Sequence, residues 1–249
     1  MPKEKLFGPF KRKLNISNIQ LIEEFYSDYD FVEFYNKALK EDSHKDLEIF
    51  RKLLSLDDTI LEIGSGSGRV FNDLCNENYD IYGIEPSKEM NKYIVREYRH
   101  KIFNIRMQDI EILRDKQLFF SKIIIPATTI SLFSHNDFEY FIEKVSLMVK
   151  PNGSIIFDFI NPSYLRTANG KIHMLEYRES KYYFSNYIQY PYFILNVYLQ
   201  RDNLKKLSYS VKHLYSLEFL QKICSKYGYN LNIISENDIY IMVEMRKYE

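Results

Sequence analysis

Apolar positions along the chain change their spacing from stretch to stretch, and each change marks an element. Between Asn18 and Lys40, Ile22, Phe25, Tyr26, Tyr29 and Val32 recur at steps of three and four, which predicts one or two N-terminal helices. A second helix over about His44 to Leu54 turns Leu47, Phe50, Leu53 and Leu54 inward. Short apolar runs follow at Thr59–Ile63, Ile81–Ile84, Ile105–Met107, Lys122–Ile125 and Ser154–Phe159, with helical stretches between them. That alternation predicts a parallel sheet with helices on both faces. Before the last of these runs, Asn136 with Glu139 three residues on reads as a capping box. Lys150-Pro151-Asn152-Gly153 reads as the turn that ends its helix.

From about Ile172 to Leu214 the period becomes two, in Tyr182–Tyr190 and Tyr192–Leu199 on either side of Pro191. This predicts an antiparallel insertion of three or so strands. A last helix, Ser216–Tyr227, stops at Gly228, and Leu231–Ser235 and Tyr240–Val243 can pair as a terminal ribbon. With 249 residues, the expectation is one compact unit. Its parts are N-terminal helices or a lid over 1–43, a core over 44–160, the insertion over 161–214 and a completing helix and strand pair over 215–249.

Charge and cysteine content narrow the function. Lys and Arg number 34 and so do Asp and Glu, so no overall field draws in a polyanion, which argues against nucleic acid as partner. Cys75 and Cys224 stand far apart and lack the clustered partners of a zinc site or disulfide framework. No metal is expected, and two reduced thiols fit a cytoplasmic protein. No segment approaches the roughly 20 apolar residues of a membrane span.

The stretch richest in chemistry is Ile60-Leu61-Glu62-Ile63-Gly64-Ser65-Gly66-Ser67-Gly68-Arg69-Val70. A buried strand delivers three alternate glycines to a helix beginning near Gly68, so the loop can press bare main chain against a ligand. The spacing is not the G-x-G-x-x-G of dinucleotide folds, and the Lys-Ser/Thr pair of a P-loop is missing. The next strand ends in Glu85, whose two oxygens can accept from both hydroxyls of a ribose; as an alternative, Glu85 complements the dipole of the following helix. The third ends in Met107-Gln108-Asp109-Ile110, where Asp109 is either a ligand contact or a local turn residue.

Glu62-x-Gly64-x-Gly66-x-Gly68, then an acid after strand two and another after strand three, resembles the class I S-adenosylmethionine-dependent methyltransferases from about Asn18 to Phe159. The resemblance implies an α/β, Rossmann-like fold. Its mostly parallel seven-stranded sheet carries helices on both faces, with the antiparallel β insertion before the last helix. It implies S-adenosyl-L-methionine as cofactor and S-adenosyl-L-homocysteine as product. Glu62, Gly64, Ser65, Gly66 and Gly68 would hold the methionine part, Glu85 and Pro86 the ribose, and Gln108, Asp109 and Ile110 the adenine. Ala127 and the N-terminal Tyr26 would complete the site.

The loop after the fourth strand, Pro126 to His135, lacks the Asn/Asp-Pro-Pro-aromatic motif of enzymes acting on exocyclic base amines, and the cysteine of cytosine-carbon enzymes. A small molecule accepting on N or O is therefore the expected substrate. His135 and His213 are candidate bases, since an unperturbed imidazole titrates near neutral pH. Tyr29 is a candidate cover for the sulfonium, because an aromatic face attracts cations. The competing reading of His135 is a helix-flanking polar residue before Asn136, and that of Tyr29 is plain helix packing. The insertion would roof the acceptor or pair two subunits as a homodimer. Alternatives are a catalytically silent cofactor-binding member of the fold, a tRNA or other nucleic-acid methyltransferase, and a dinucleotide enzyme.

Overall fold

The computed structural model describes residues 2–39 and 45–248. The predicted ends of elements at Lys40 and His44 lie outside the described residues. In chain order, α1 (Gly8–Lys13), β1 (Ile19–Ile22) and α2 (Tyr29–Leu39) come first. Then follow α3 (Lys45–Leu53), β2 (Thr59–Ile63), α4 (Arg69–Asn76), β3 (Asp80–Ile84), α5 (Lys88–Asn91), β4 (Ile102–Phe103), α6 (Glu111–Asp115), β5 (Phe120–Ile125), α7 (His135–Val145) and β6 (Val149–Ile160). Next come α8 (Pro162–Ala168), β7 (His173–Tyr177), β8 (Ser180–Gln189), β9 (Tyr192–Arg201) and β10 (Leu204–His213). The chain closes with α9 (Leu217–Tyr227), β11 (Tyr229–Glu236) and β12 (Tyr240–Lys247).

These elements form two compact units in place of the single one expected: Met1–Asp42 with Pro162–Leu214, and Ser43–Asn161 with Tyr215–Glu249. The second unit holds a seven-stranded sheet in the order β11-β12-β6-β5-β2-β3-β4. β6, β5, β2, β3 and β4 run parallel, whereas β12 is antiparallel to β6 and β11 to β12. Strand period two sorts the side chains onto two faces. Leu61, Ile123, Ile155 and Phe157 meet Phe138, Phe141, Leu220 and Ile223 of α7 and α9. Ile60, Ile124, Ile156 and Met242 meet Leu47, Phe50, Val70, Phe71 and Leu74 of α3 and α4. Full burial of each such side chain is worth about 1.5–3 kcal/mol. This is the sheet with helices on both faces that the alternation predicts, in the α/β Rossmann-like form that the resemblance implies.

The first unit is a five-stranded sheet in the order β1-β10-β9-β8-β7, with β1 parallel to β10 and the rest antiparallel. On one face Val197 and Leu199 of β9 and Tyr182 of β8 cluster with Phe25, Phe31 and Phe34. On the other, Tyr198 and Leu207 cluster with Leu6 and Phe10. Asn196, fully buried in β9, fastens the N-terminal segment. Its Oδ1 accepts from the Phe7 N–H at 2.8 Å and its Nδ2 donates to the Lys5 carbonyl at 2.8 Å.

Four local expectations need correction. Residues 18–40 are not helical throughout: Ile19–Ile22 is a strand, because β10 offers it an open edge. The third core strand is Ile102–Phe103, and Met107–Asp109 is a 3₁₀ turn. The capping box of α7 is Ser134 with Asp137: Ser134 Oγ accepts the Asp137 N–H at 3.0 Å, and Asp137 Oδ2 accepts the Ser134 N–H at 3.2 Å. Lys150–Gly153 does not end α7, which stops at Val145. These residues lie inside β6, where the pairing jumps from Phe120↔Val149 to Lys122↔Ser154.

Candidate functional site: a glycine loop and its acids

The second unit's sheet reverses direction of growth between β2 and β5, and open α/β sheets bind ligands outside the carboxyl ends at that point. Two loops meet there. After β2, Gly64, Gly66 and Gly68 all adopt positive φ, at +72°, +55° and +81°. The Gly64 and Ser65 N–H groups donate to the Ile84 carbonyl at 2.8 and 3.0 Å, which moors the loop to the end of β3. After β5, Ala127 and Thr128 also take positive φ. For residues with a Cβ this costs about 1–2 kcal/mol each. The buried Asp158, at the end of β6, holds that conformation by accepting the Thr128 N–H at 3.0 Å. A Cβ on Gly64 would stand 2.5 Å from Thr129 Cγ2, so the two loops are in direct contact. At Gly66 the nearest atom would be the Gly64 carbonyl oxygen at 3.8 Å, leaving open space beside the main chain.

Glu85 ties the loop to the next helix. Its Oε2 accepts the Gly66 N–H at 2.8 Å and its Oε1 accepts the Ser87 N–H at 2.7 Å. Each oxygen keeps a second lone pair for a ligand. Its backbone is held too. Asn91 Nδ2 donates to the Glu85 carbonyl at 3.1 Å, Asn104 Nδ2 at 2.7 Å, and Asn104 also reaches the Pro86 carbonyl at 3.1 Å. Burial raises the Glu85 pKa above the usual carboxylate range, while the Ser87 and Gly66 amides pull it back.

Glu62 is more deeply set, at 1% exposure. Its Oε2 makes no hydrogen bond among the described residues. Burial pushes its pKa up to about 8, against the lowering effects of Ser65 and Arg69. A buried carboxyl oxygen with no partner is costly unless a ligand or proton satisfies it.

The remaining predicted residues fall as follows. Ser65 is buried within the loop and Pro86 is exposed at the start of the turn after β3. Gln108 and Asp109 are exposed on the 3₁₀ turn, whereas Ile110 is buried in the core. Ala127 is half-buried. His135, the first residue of α7, stacks on Phe219 at 4.1 Å between ring centroids and meets Tyr215 edge-on at 5.2 Å. Tyr26, Tyr29 and His213 belong to the other unit. Tyr26 packs edge-on against Phe25 and Tyr35, and Tyr29 is 48% exposed with its hydroxyl 3.3 Å from Arg178 Nη1. His213, at the end of β10, meets Tyr192 edge-on at 4.9 Å.

Asp158, Asn91, Asn104 and the Asp46–Arg69 ion pair escaped sequence reasoning. Only Asp158 carries a local signal, as a lone acid within the apolar run Ile155–Ile160. The others act through partners distant in sequence.

The fold and this loop-and-acid arrangement are similar to those of the class I S-adenosylmethionine-dependent methyltransferases. Residues 60–153 match the methyltransferase domain family. A curated relative, the ubiquinone biosynthesis O-methyltransferase of Pelagibacter ubique (strain HTCC1062), is 27% identical over 149 residues, which are 57% of this chain and 60% of that protein. The match thus spans less than two thirds of the relative's length.

Solved structures agree on the fold. An S-adenosylmethionine-dependent methyltransferase from Clostridium acetobutylicum ATCC 824 has a TM-score of 0.69 at 17% identity, covering 88% of this chain and 98% of that one. The sugar N-methyltransferase KedS8 from Streptoalloteichus sp ATCC 53650 has a TM-score of 0.68 at 12% identity, covering 87% and 92%. CalS10, an amino pentose methyltransferase from Micromonospora echinaspora, has 0.65 at 10% identity, covering 86% and 97%. Among the described residues no helix is long and apolar enough to cross a membrane.

Proposed function

We propose that this chain transfers the methyl group of S-adenosylmethionine to a nitrogen or oxygen of a small-molecule acceptor by direct in-line displacement. The observation that carries the reading is the pairing of an unpartnered, buried Glu62 oxygen with an open main-chain face at Gly66, bounded by the preorganised Glu85 carboxylate. These groups fit the cofactor's three polar ends. Glu62 would take the ammonium of the methionine part, and the free lone pairs of Glu85 would accept from the ribose hydroxyls. Asp109, exposed at the end of the third strand's loop, would accept from the adenine amine.

The bound cofactor supplies an electrophilic methyl on a sulfonium. The chain's residues have only to hold it and the acceptor in line and exclude water, because effective molarity can offset roughly 7–11 kcal/mol of such a barrier. The Ala127–Thr129 turn, propped by Asp158, forms the wall across from the glycine loop and would border the transfer point. An amine acceptor needs only to be neutral when it attacks, whereas a hydroxyl needs a base or a desolvated anion. Both rings that touch His135 belong to the structural core around α9, which favours packing over proton transfer for this histidine. The neutral charge balance and the relatives' sugar and quinone-pathway names support a small acceptor over nucleic acid.

Incubating the protein with host metabolites and an isotopically labelled methyl donor tests the assignment. Mass spectrometry is expected to find the label in a low-molecular-weight product together with S-adenosylhomocysteine. Label found only in RNA, or in nothing, would overturn it.

A further inference from the structure

Gly83 lies within β3, paired with Glu62 of β2 on one side and Ile102 of β4 on the other. A glycine inside a strand weakens it and packs no side chain, and it marks a place where another group approaches the main chain closely. Unlike the left-handed Gly64, Gly66 and Gly68, Gly83 is extended, so space and not backbone conformation demands it. A Cβ here would stand 2.3 Å from Ser65 Oγ, 2.5 Å from Ile102 Cδ1 and 3.2 Å from Phe71 Cε2. The isoleucine carbon is the end of a flexible side chain and can turn aside. Ser65 is buried, and its main chain is tied on both sides: its N–H donates to the Ile84 carbonyl at 3.0 Å and its carbonyl accepts the Gly68 N–H at 2.8 Å. The glycine loop is thus keyed into β3 by the Ser65 side chain. One residue on, the Gly66 N–H reaches Glu85 Oε2 at 2.8 Å.

We propose that Gly83 is a positioning residue for cofactor capture: the notch it leaves in β3 seats Ser65, and the seated Ser65 brings Gly66 onto Glu85. The inference rests on the reading of Glu85 as the ribose acid, and it assigns that acid's aim to a strand residue without a side chain. A Cβ at position 83 pushes on Ser65 and lifts Gly66 from Glu85. The carboxylate then loses one of the two amides that hold it. A glycine needed only for the packing of β3 makes a different prediction: its substitution lowers stability and leaves the affinity of the folded protein unchanged.

The test is calorimetric titration of S-adenosylhomocysteine into the intact protein, at a temperature where melting curves show every variant folded. Exchange of the Gly66 amide is followed by NMR in the ligand-free chains. Gly83→Ala is expected to weaken binding by about ten- to a hundredfold, the worth of one hydrogen bond to a charged group, and to speed Gly66 exchange. The same substitution made on a Ser65→Ala background meets no Oγ in the notch, so its further effect on both readouts should be much smaller. Ser65→Cys enlarges the seated atom and leaves β3 intact; it is expected to shift both readouts in the direction of Gly83→Ala, and it carries the test if that variant does not fold. Unchanged affinity in Gly83→Ala, or equal losses with and without Ser65 Oγ, overturn the proposal. Failure of the unsubstituted chain to bind S-adenosylhomocysteine would overturn the cofactor reading beneath it, while Gly66 exchange would still decide whether Gly83 places the loop.

Discussion

At Gly64 the backbone and packing constraints on the glycine loop coincide. Its φ of +72° is left-handed, and an added Cβ would stand 2.5 Å from Thr129 Cγ2 and 3.3 Å from Thr129 Oγ1. The conformation costs a residue with a Cβ about 1–2 kcal/mol. Forcing a methyl into a packed site adds about 1–3 kcal/mol. Gly64→Ala is therefore expected to destabilise its unit by about 2–5 kcal/mol. Gly66 is the control, because its φ is +55° but nothing lies within 3.8 Å of the added atom. Gly66→Ala should incur only the conformational cost, about 1–2 kcal/mol. Thr129→Ser removes the clashing Cγ2, so combining it with Gly64→Ala should recover the packing part, a coupling of about 1–3 kcal/mol. Hydrogen-exchange mass spectrometry in urea, read on peptides covering β2 and β5, measures this unit's opening separately from that of the other unit. Equal costs at Gly64 and Gly66, or an additive double variant, would refute the packing argument.

Three other perturbations probe the acids and the other unit. Glu85→Gln puts a donor where one of two backbone N–H groups now finds an acceptor. It is expected to destabilise the loop by about 1–3 kcal/mol and to weaken S-adenosylhomocysteine binding at least tenfold by calorimetry; unchanged affinity would count against Glu85 as the ribose acid. Glu62 is raised from an ordinary carboxyl value to about 8 by burial, so the ligand-free fold favours its protonated form. The stability this gives is present below the unfolded value near 4.5 and is lost as pH rises to about 8. Relative to the unsubstituted chain, Glu62→Gln should thus gain up to about 1.4 kcal/mol for each pH unit across that window, and parallel stability–pH curves would contradict this. Asn196→Ala removes the partners of the Phe7 N–H and the Lys5 carbonyl. The N-terminal segment should lose exchange protection equivalent to about 1–3 kcal/mol for each group left unsatisfied, while β2 and β5 keep theirs.

What the sequence made legible was whatever is encoded locally. The apolar runs at Thr59–Ile63 and Ser154–Phe159, the break at Gly228 and the two-residue period on either side of Pro191 lie where strands and helix ends are found. The glycine loop and Glu85 were readable because main chain without side chains and an acid at a strand end are chemical statements in themselves. What stayed hidden depends on partners far along the chain. Ile19–Ile22 became a strand only because β10, nearly two hundred residues on, presents an edge. β4 is two residues long and carries too little pattern to be placed, so the predicted strand slid onto the Met107 turn. The capping box shifted from Asn136 to Ser134 because either residue satisfies the sequence rule, and only the helix start at His135 decides between them. Asp46 met Arg69 through the packing of α3 against α4, which no spacing along the chain announces.

We propose that the glycine loop, Glu85 and Asp109 together cradle an adenosyl group. A crystal structure of the protein with S-adenosylhomocysteine tests it most directly. Both ribose hydroxyls are predicted within hydrogen-bond distance of the Glu85 carboxylate, with the ligand's ammonium on Glu62. A ribose bound elsewhere, with Glu85 still satisfied only by Gly66 and Ser87, would contradict the account.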